Sequence, residues 1–172
     1  GAYDPTHNGS RDVFVTRMAA DGSGIVFSTH LGGSNSEEAW GLKLAADGDI
    51  LVTGYTGSAN YPRTPGAYDT SHAGGGALLG SDAFVTLLSA DGSSLRFSTF
   101  VGGSEDDTGV AVGFDIHGGV YVAGRTASPD FPVTAGAVDT TYGGGTPSVG
   151  DTFVVRLNRD GTQMSWGSYL GG

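Results

Sequence analysis

The sequence has no cysteine, which excludes a disulfide framework and any thiolate metal centre. Charge is scarce and one-sided: eighteen acidic residues stand against eight basic ones, a formal net charge of −10 over 172 residues. Such a balance repels a phosphate backbone unless a local basic stripe offsets it, and the lysines and arginines form none, so no nucleic-acid partner is expected. No apolar run approaches the roughly 20 residues that a membrane span requires, so no membrane insertion is expected. Residue 1 opens inside a repeat, which puts any leader peptide upstream of the segment. Catalytic fingerprints are missing too: there is no H-E-x-x-H, no G-x-S-x-G, no P-loop and no dinucleotide glycine pattern. The histidines (His7, His30, His72, His117) are dispersed, and only His7 and His72 share a repeat position. With no recurring acid, base and nucleophile, the chain is not expected to be an enzyme.

What is present is repetition. DVFVTRMAADGSGIVFSTHLGG (Asp12 to Gly33) recurs as DAFVTLLSADGSSLRFSTFVGG (Asp82 to Gly103) and DTFVVRLNRDGTQMSWGSYLGG (Asp151 to Gly172), at offsets of 70 and 69 residues. The 32 glycines are therefore not low complexity, because most fall in GG pairs, Asp-Gly turns and a GGG run at fixed places in the repeat. Within each copy apolar residues alternate with period two, which predicts strands. Phe84, Thr86 and Leu88, like Phe14, Thr16 and Met18 or Phe153, Val155 and Leu157, are expected to form one buried face. Asp21-Gly22, Asp91-Gly92 and Asp160-Gly161 sit between the two runs, where a reversal needs positive φ, so each copy predicts a hairpin.

A second hairpin follows. Gly32 to Gly54 aligns without a gap on Gly102 to Gly124, with Trp40, Leu42 and Leu44 over Val110, Val112 and Phe114. Each full unit thus predicts four antiparallel strands, with a loop of about 25 residues (57–81 and 127–150) before the third. Prolines and aromatics in these loops predict ordered excursions lying on the structure. Tandem four-stranded sheets at a fixed period are the signature of a β-propeller or related array. The expected fold class is all-β, in blade-like units: a half unit over 1–33 and full units over 34–103 and 104–172.

Over Asp82 to Thr140, DAFVTLLSADGSSLRFSTFVGGSEDDTGVAVGFDIHGGVYVAGRTASPDFPVTAGAVDT, the residues resemble the SBBP repeat, a β-propeller repeat family of secreted and cell-surface bacterial and archaeal proteins. The resemblance covers two and a half copies and implies an extracellular or surface location. It implies no catalytic set, because the family is defined by its fold. The first full unit departs from the pattern at Ser36 and Glu37, where the second has Asp106 and Asp107.

Two and a half blades cannot close a ring, since closed propellers need at least four. The segment is therefore expected to expose two long strand edges, to be completed by further copies of the repeat in the same chain or in others. The expected function is a structural or adhesive module that assembles by edge pairing and face packing into a scaffold or filament. The alternative is a closed propeller domain of a larger secreted protein that binds a glycan or a protein through its loops.

Several residues are candidates for contacts. Glu37, Glu38, Asp106 and Asp107, in the acidic turns after GG, offer carboxylates that calcium uses, although calcium takes six to eight oxygen ligands and each turn supplies two or three. The bland reading is a turn whose carboxylates accept backbone N–H bonds. No other cofactor is expected. Asp12, Asp82 and Asp151 precede a strand at one repeat position and are expected to hold a neighbouring loop. Tyr61, Tyr68, Phe131 and Tyr142 in the long loops suit stacking on a sugar ring or a partner, or else anchoring the loop on its own sheet. Asn8-Gly9-Ser10 matches a glycosylation sequon.

Overall fold

A computed structural model describes residues 1–75, 80–144 and 150–171. The described residues form ten strands: β1 Val13–Met18, β2 Ile25–Leu31, β3 Glu37–Leu44, β4 Ile50–Thr56, β5 Asp82–Leu88, β6 Leu95–Val101, β7 Asp107–Phe114, β8 Val120–Thr126, β9 Asp151–Leu157 and β10 Met164–Leu170. Every pairing is between sequence neighbours and antiparallel, giving a ribbon β1-β2 and two four-stranded meanders, β3-β4-β5-β6 and β7-β8-β9-β10. The all-β, blade-like architecture expected from the repeats is present, and the sheets do not close into a barrel. Gly22, Gly92 and Gly161 take φ of 72°, 71° and 64° in the Asp-Gly reversals, where a Cβ would strain the left-handed backbone.

The three sheets stack face to face, and the middle sheet is covered on both sides. Its first face presents Ile50, Val52, Phe84, Leu88 and Phe100 to Val13, Val15, Phe27 and Leu31 of the β1-β2 ribbon. The second presents Leu51, Ala83, Val85, Phe97 and Val101 to Val120, Val122, Phe153, Val155 and Leu157 of the third sheet. Alternation along β5 therefore serves two cores at once, which is why that strand reads as almost continuously apolar.

Neighbours, and not the strand's own residues, decide which row is buried. In the ribbon the row expected inside is outside: Phe14 is 69% exposed and Met18 57%, whereas Phe84 and Leu88, at the same repeat positions, are 0% exposed. The other row, Val13 and Val15, is buried instead. The reason is simple: the first face of the ribbon has no sheet against it among the described residues, and its second face has.

The exposed strand edges that were expected are covered only in part: β3 and β7 end their sheets with no further strand beside them among the described residues, while the opposite edges are covered. Each long loop returns along the outermost strand of its own unit and hydrogen-bonds to it. Phe100 N donates to Asp69 O at 3.1 Å, Tyr169 N to Asp139 O at 3.1 Å and His30 N to Asp4 O at 2.9 Å. Thr64 N and Thr134 N donate to Ser98 O and Gly167 O in the same way. The loops thus cover the edges of β2, β6 and β10, a standard protection against unwanted strand pairing. The remaining loop positions, 76–79 and 145–149, lie outside the described residues. The edge left without an antiparallel partner in the ribbon is that of β1, whose counterpart β5 pairs with β4.

Two substitutions at one repeat position separate these environments. Phe84→Ala is expected to cost about 3–5 kcal/mol in chemical denaturation, as truncation of a buried ring does, while Phe14→Ala at micromolar concentration should change stability by less than about 1 kcal/mol. Equal losses at both positions would contradict the stacking described.

Candidate functional site

The most chemically organised places are the corners where one unit ends in Gly-Gly and the next sheet begins. In the first corner, Glu37 opens β3 and is 2% exposed. Its Oε2 accepts Gly33 N at 2.8 Å and its Oε1 accepts the Thr56 hydroxyl at 2.7 Å. Thr56 Oγ1 in turn accepts Ser58 N, Ser58 Oγ accepts Asn35 N, and Asn60 Oδ1 accepts Ser34 N. The second corner repeats this with Asp107, Thr126, Ser128 and Asp130. Gly103 N donates to Asp107 Oδ2 at 2.7 Å, Ser128 Oγ to the same oxygen at 2.9 Å, and Ser104 N to Asp130 Oδ1 at 2.9 Å.

The Gly-Gly pair is what lets these groups approach. A Cβ on Gly103 would lie 2.6 Å from Asp130 Oδ1 and 2.7 Å from Ser128 Cβ, and one on Gly102 would lie 2.7 Å from Asp107 Oδ2 and 3.0 Å from Asp82 Oδ1. Asp12, Asp82 and Asp151 hold the preceding loop, as expected of their position: their Oδ2 atoms accept Asn8 N, Ala73 N and Gly143 N at 2.8, 2.8 and 2.6 Å.

The corners differ in one methylene. Glu37 reaches Thr56, whereas the shorter Asp107 gets some relief from Thr126 without hydrogen-bonding geometry at Oδ1, which is buried and unpartnered among the described residues, as is Asp82 Oδ1. Burial pushes the Asp107 carboxyl up to about 7, with the nearby Asp82 charge adding to the rise. Burial also raises Asp82, against the opposing pull of the Ala73 and Gly74 amides and of His72.

The four acidic candidates are not brought to one place. Glu37 and Asp107 are interior residues of different corners. Glu38 is ion-paired with Arg11, and Asp106 Oδ1 accepts Ser81 N at 3.0 Å. Among the described residues no three acidic or histidine side chains converge to hold a metal.

The aromatic candidates divide. Tyr61 and Phe131 are 1% and 2% exposed and seal the two inter-sheet cores. The Tyr61 ring lies 4.7 Å from Phe84, with its hydroxyl 3.0 Å from Thr86 Oγ1, and Phe131 stacks at 4.4 Å on Phe153. Neither is therefore available as a partner or sugar contact, and both take the other reading, anchoring the loop on its own sheet: an apolar loop ring next to an open core is drawn into it. Tyr68 and Tyr142 are half-buried against the second core, Tyr142 at 5.9 Å from Tyr169.

At the turn end of the junction between the second and third sheets lies a groove of about 780 Å³ whose walls include Lys43, Asp49, Arg96, Asp115 and Arg159. Arg96 is paired with Asp49 at 3.0 Å there, and nearby Arg156 is paired with Asp115 at 2.6 Å.

Ser58 and Asn60, and their counterparts Ser128 and Asp130, fall in the stretches expected to be loop, and Thr56 and Thr126 at the strand ends before them are not among the candidate residues. The signal was in the repeat: TGSANYP aligns on TASPDFP with polar residues at matching places.

The buried acid has a pH consequence. Its folded value, about 7, lies above the ordinary 3.8, so the folded state holds a proton that the unfolded chain releases. That contribution is complete below about pH 4 and is lost as pH rises towards and through 7. It amounts to on the order of 4 kcal/mol at most. Asp107→Asn is expected to match the wild type near pH 4 and to melt higher at pH 8, by calorimetry. Melting curves that run parallel from pH 4 to 8 would contradict this.

Residues 96–132, from β6 through β8 into the start of the long loop, match the SBBP family model, described as a beta-propeller repeat. No curated protein matches the chain. That match, together with the four-stranded antiparallel sheets, makes residues 96–132 similar to an SBBP beta-propeller repeat.

Proposed function

We propose that the segment is a structural β-repeat module, without catalytic activity, whose terminal sheet faces are completed by further repeats. The observation that carries this reading is the contrast within one repeat position: an interior environment at Phe84 and Leu88, and a solvent-facing one at Phe14 and Met18. Large apolar side chains grouped on one face mark an interaction surface, and the same residue types already fill both internal junctions. Face packing is the main mode in this reading, since the loops occupy the edges of β2, β6 and β10 and leave, among the described residues, those of β1, β3 and β7 without a neighbouring strand. The extracellular, scaffold-forming setting rests on the resemblance to secreted SBBP proteins. A loop-borne glycan site has less support, because Tyr61 and Phe131 are core residues.

Sedimentation velocity over a hundredfold concentration range tests it. Species larger than the monomer are expected, increasing with salt because screening weakens repulsion between copies of net charge −10. Phe14→Asp should weaken association by at least about tenfold, since burying such a ring is worth about 1.5–3 kcal/mol. A single monomeric boundary at every concentration would contradict the proposal.

A further inference from the structure

The two internal junctions share a device beyond their apolar faces. The loop of each unit reaches forward to the Asp-Gly turn of the next: Tyr3 N donates to Gly92 O at 2.7 Å, and Tyr68 N to Gly161 O at 2.8 Å. Beside each of these bonds an aromatic ring of the earlier unit lies close against the turn glycine. Phe27 lies on Gly92 and Phe97 on Gly161, so closely that any side chain at either glycine would collide with the ring. Hook and ring together fix the register of one sheet on the next.

Both halves of this device recur once more, without their counterpart among the described residues. In the third unit GAVD takes the place of GAYD, which puts Val138 at the position of Tyr3 and Tyr68. Val138 is 91% exposed. Trp166 stands where Phe27 and Phe97 stand, on the outward face of the last sheet with its ring 5.8 Å from Tyr121. At the opposite end of the molecule, Gly22 is the turn glycine of the first unit. It has the same left-handed φ of 72°, and a Cβ there would meet nothing within 4 Å. It borders the ribbon face that carries exposed Phe14 and Met18.

Resting on the module reading above, we propose that a second copy of this chain docks head to tail, with the Val138 N–H of one copy donating to Gly22 O of the next and Trp166 covering that glycine. Phe14 and Met18 of the incoming ribbon then lie on the outward row of the last sheet, which includes Tyr121 and Val154, as Phe84 and Leu88 lie on the ribbon within one chain. The contact uses different surfaces on its two sides, so it propagates as a chain of copies or closes as a ring, and does not stop at a two-fold dimer.

The absence of native cysteine makes disulfide trapping clean. A backbone bond between residues 138 and 22 brings their Cα atoms within disulfide reach. Val138→Cys and Gly22→Cys, made in separate chains and mixed under mild oxidation, are expected to give a mixed cross-linked dimer as the main product. A chain carrying both substitutions should give a ladder of covalent oligomers. Ser23→Cys replaces Gly22→Cys if the left-handed position does not tolerate a side chain. Adding Trp166→Ala should slow mixed cross-linking at least tenfold. If the segment associates in sedimentation but gives only like-with-like cross-links, or none, the docking mode is overturned and the module reading stands. If it neither associates nor cross-links, both fall.

Discussion

A sheet apolar on both faces has no stable existence by itself, and that requirement organises this molecule. Val52, Phe84 and Leu88 point one way from the middle sheet, and Leu51, Val85 and Val101 the other. Neither row can be moved to solvent without exposing the side chains that make the strand. Covering one face leaves the covering sheet with an apolar face of its own, so the demand passes along the stack. It is unmet at the ribbon, where Phe14 and Met18 face water. Hydrophobic burial is non-directional, and something else must decide how each sheet sits on the next.

That decision falls to the polar corners and the loops. Glu37 and Asp107 tie the first strand of a sheet to the Gly-Gly that ends the previous unit, and the forward reach of Tyr3 and Tyr68 to the next turn sets the opposite end. Glycine is needed at the second corner because three carboxylates, of Asp82, Asp107 and Asp130, and the Ser128 side chain crowd the space that Cβ atoms on Gly102 and Gly103 would take. Replacing Glu by Asp at the second corner keeps the tie to the backbone but gives up the bond to threonine. The acid is left half-satisfied in the interior, and its proton affinity rises in consequence. The two junctions are thus alike in shape and unlike in their response to pH.

Much of the fold could be read before any coordinates. Hairpins followed from period-two alternation around Asp-Gly, and the four-stranded unit followed from aligning Gly32 to Gly54 on Gly102 to Gly124. What escaped reading has a common cause: it depends on neighbours distant in sequence. The alternation of β1 is the same whichever row is buried, so Phe14 could be assigned inside by analogy with Phe84 when only the presence of another sheet decides it. The covering of the β6 edge is made by backbone groups of residues 64 and 69 together with the hydroxyls of Thr64, Ser98 and Thr99, and hydroxyl residues in a strand do not by themselves announce a loop lying along it. At the corners, acidic residues after Gly-Gly look solvated in sequence, and their burial at Glu37 and Asp107 follows only from the hydroxyl-rich stretch that folds back over them. Aromatics in a polar loop look like contact residues, and Tyr61 and Phe131 became core because each lies beside an open inter-sheet gap.

Hydrogen exchange along the chain measures the central claim directly, because protection reports how much structure must open to free an amide. If covering by neighbours is the source of stability, β4 and β5, buried on both faces, exchange most slowly. The β1-β2 amides then exchange faster in dilute protein and slow markedly as concentration rises. Protection of β1 and β2 equal to that of β5 in a sample that sediments as a monomer would contradict the account.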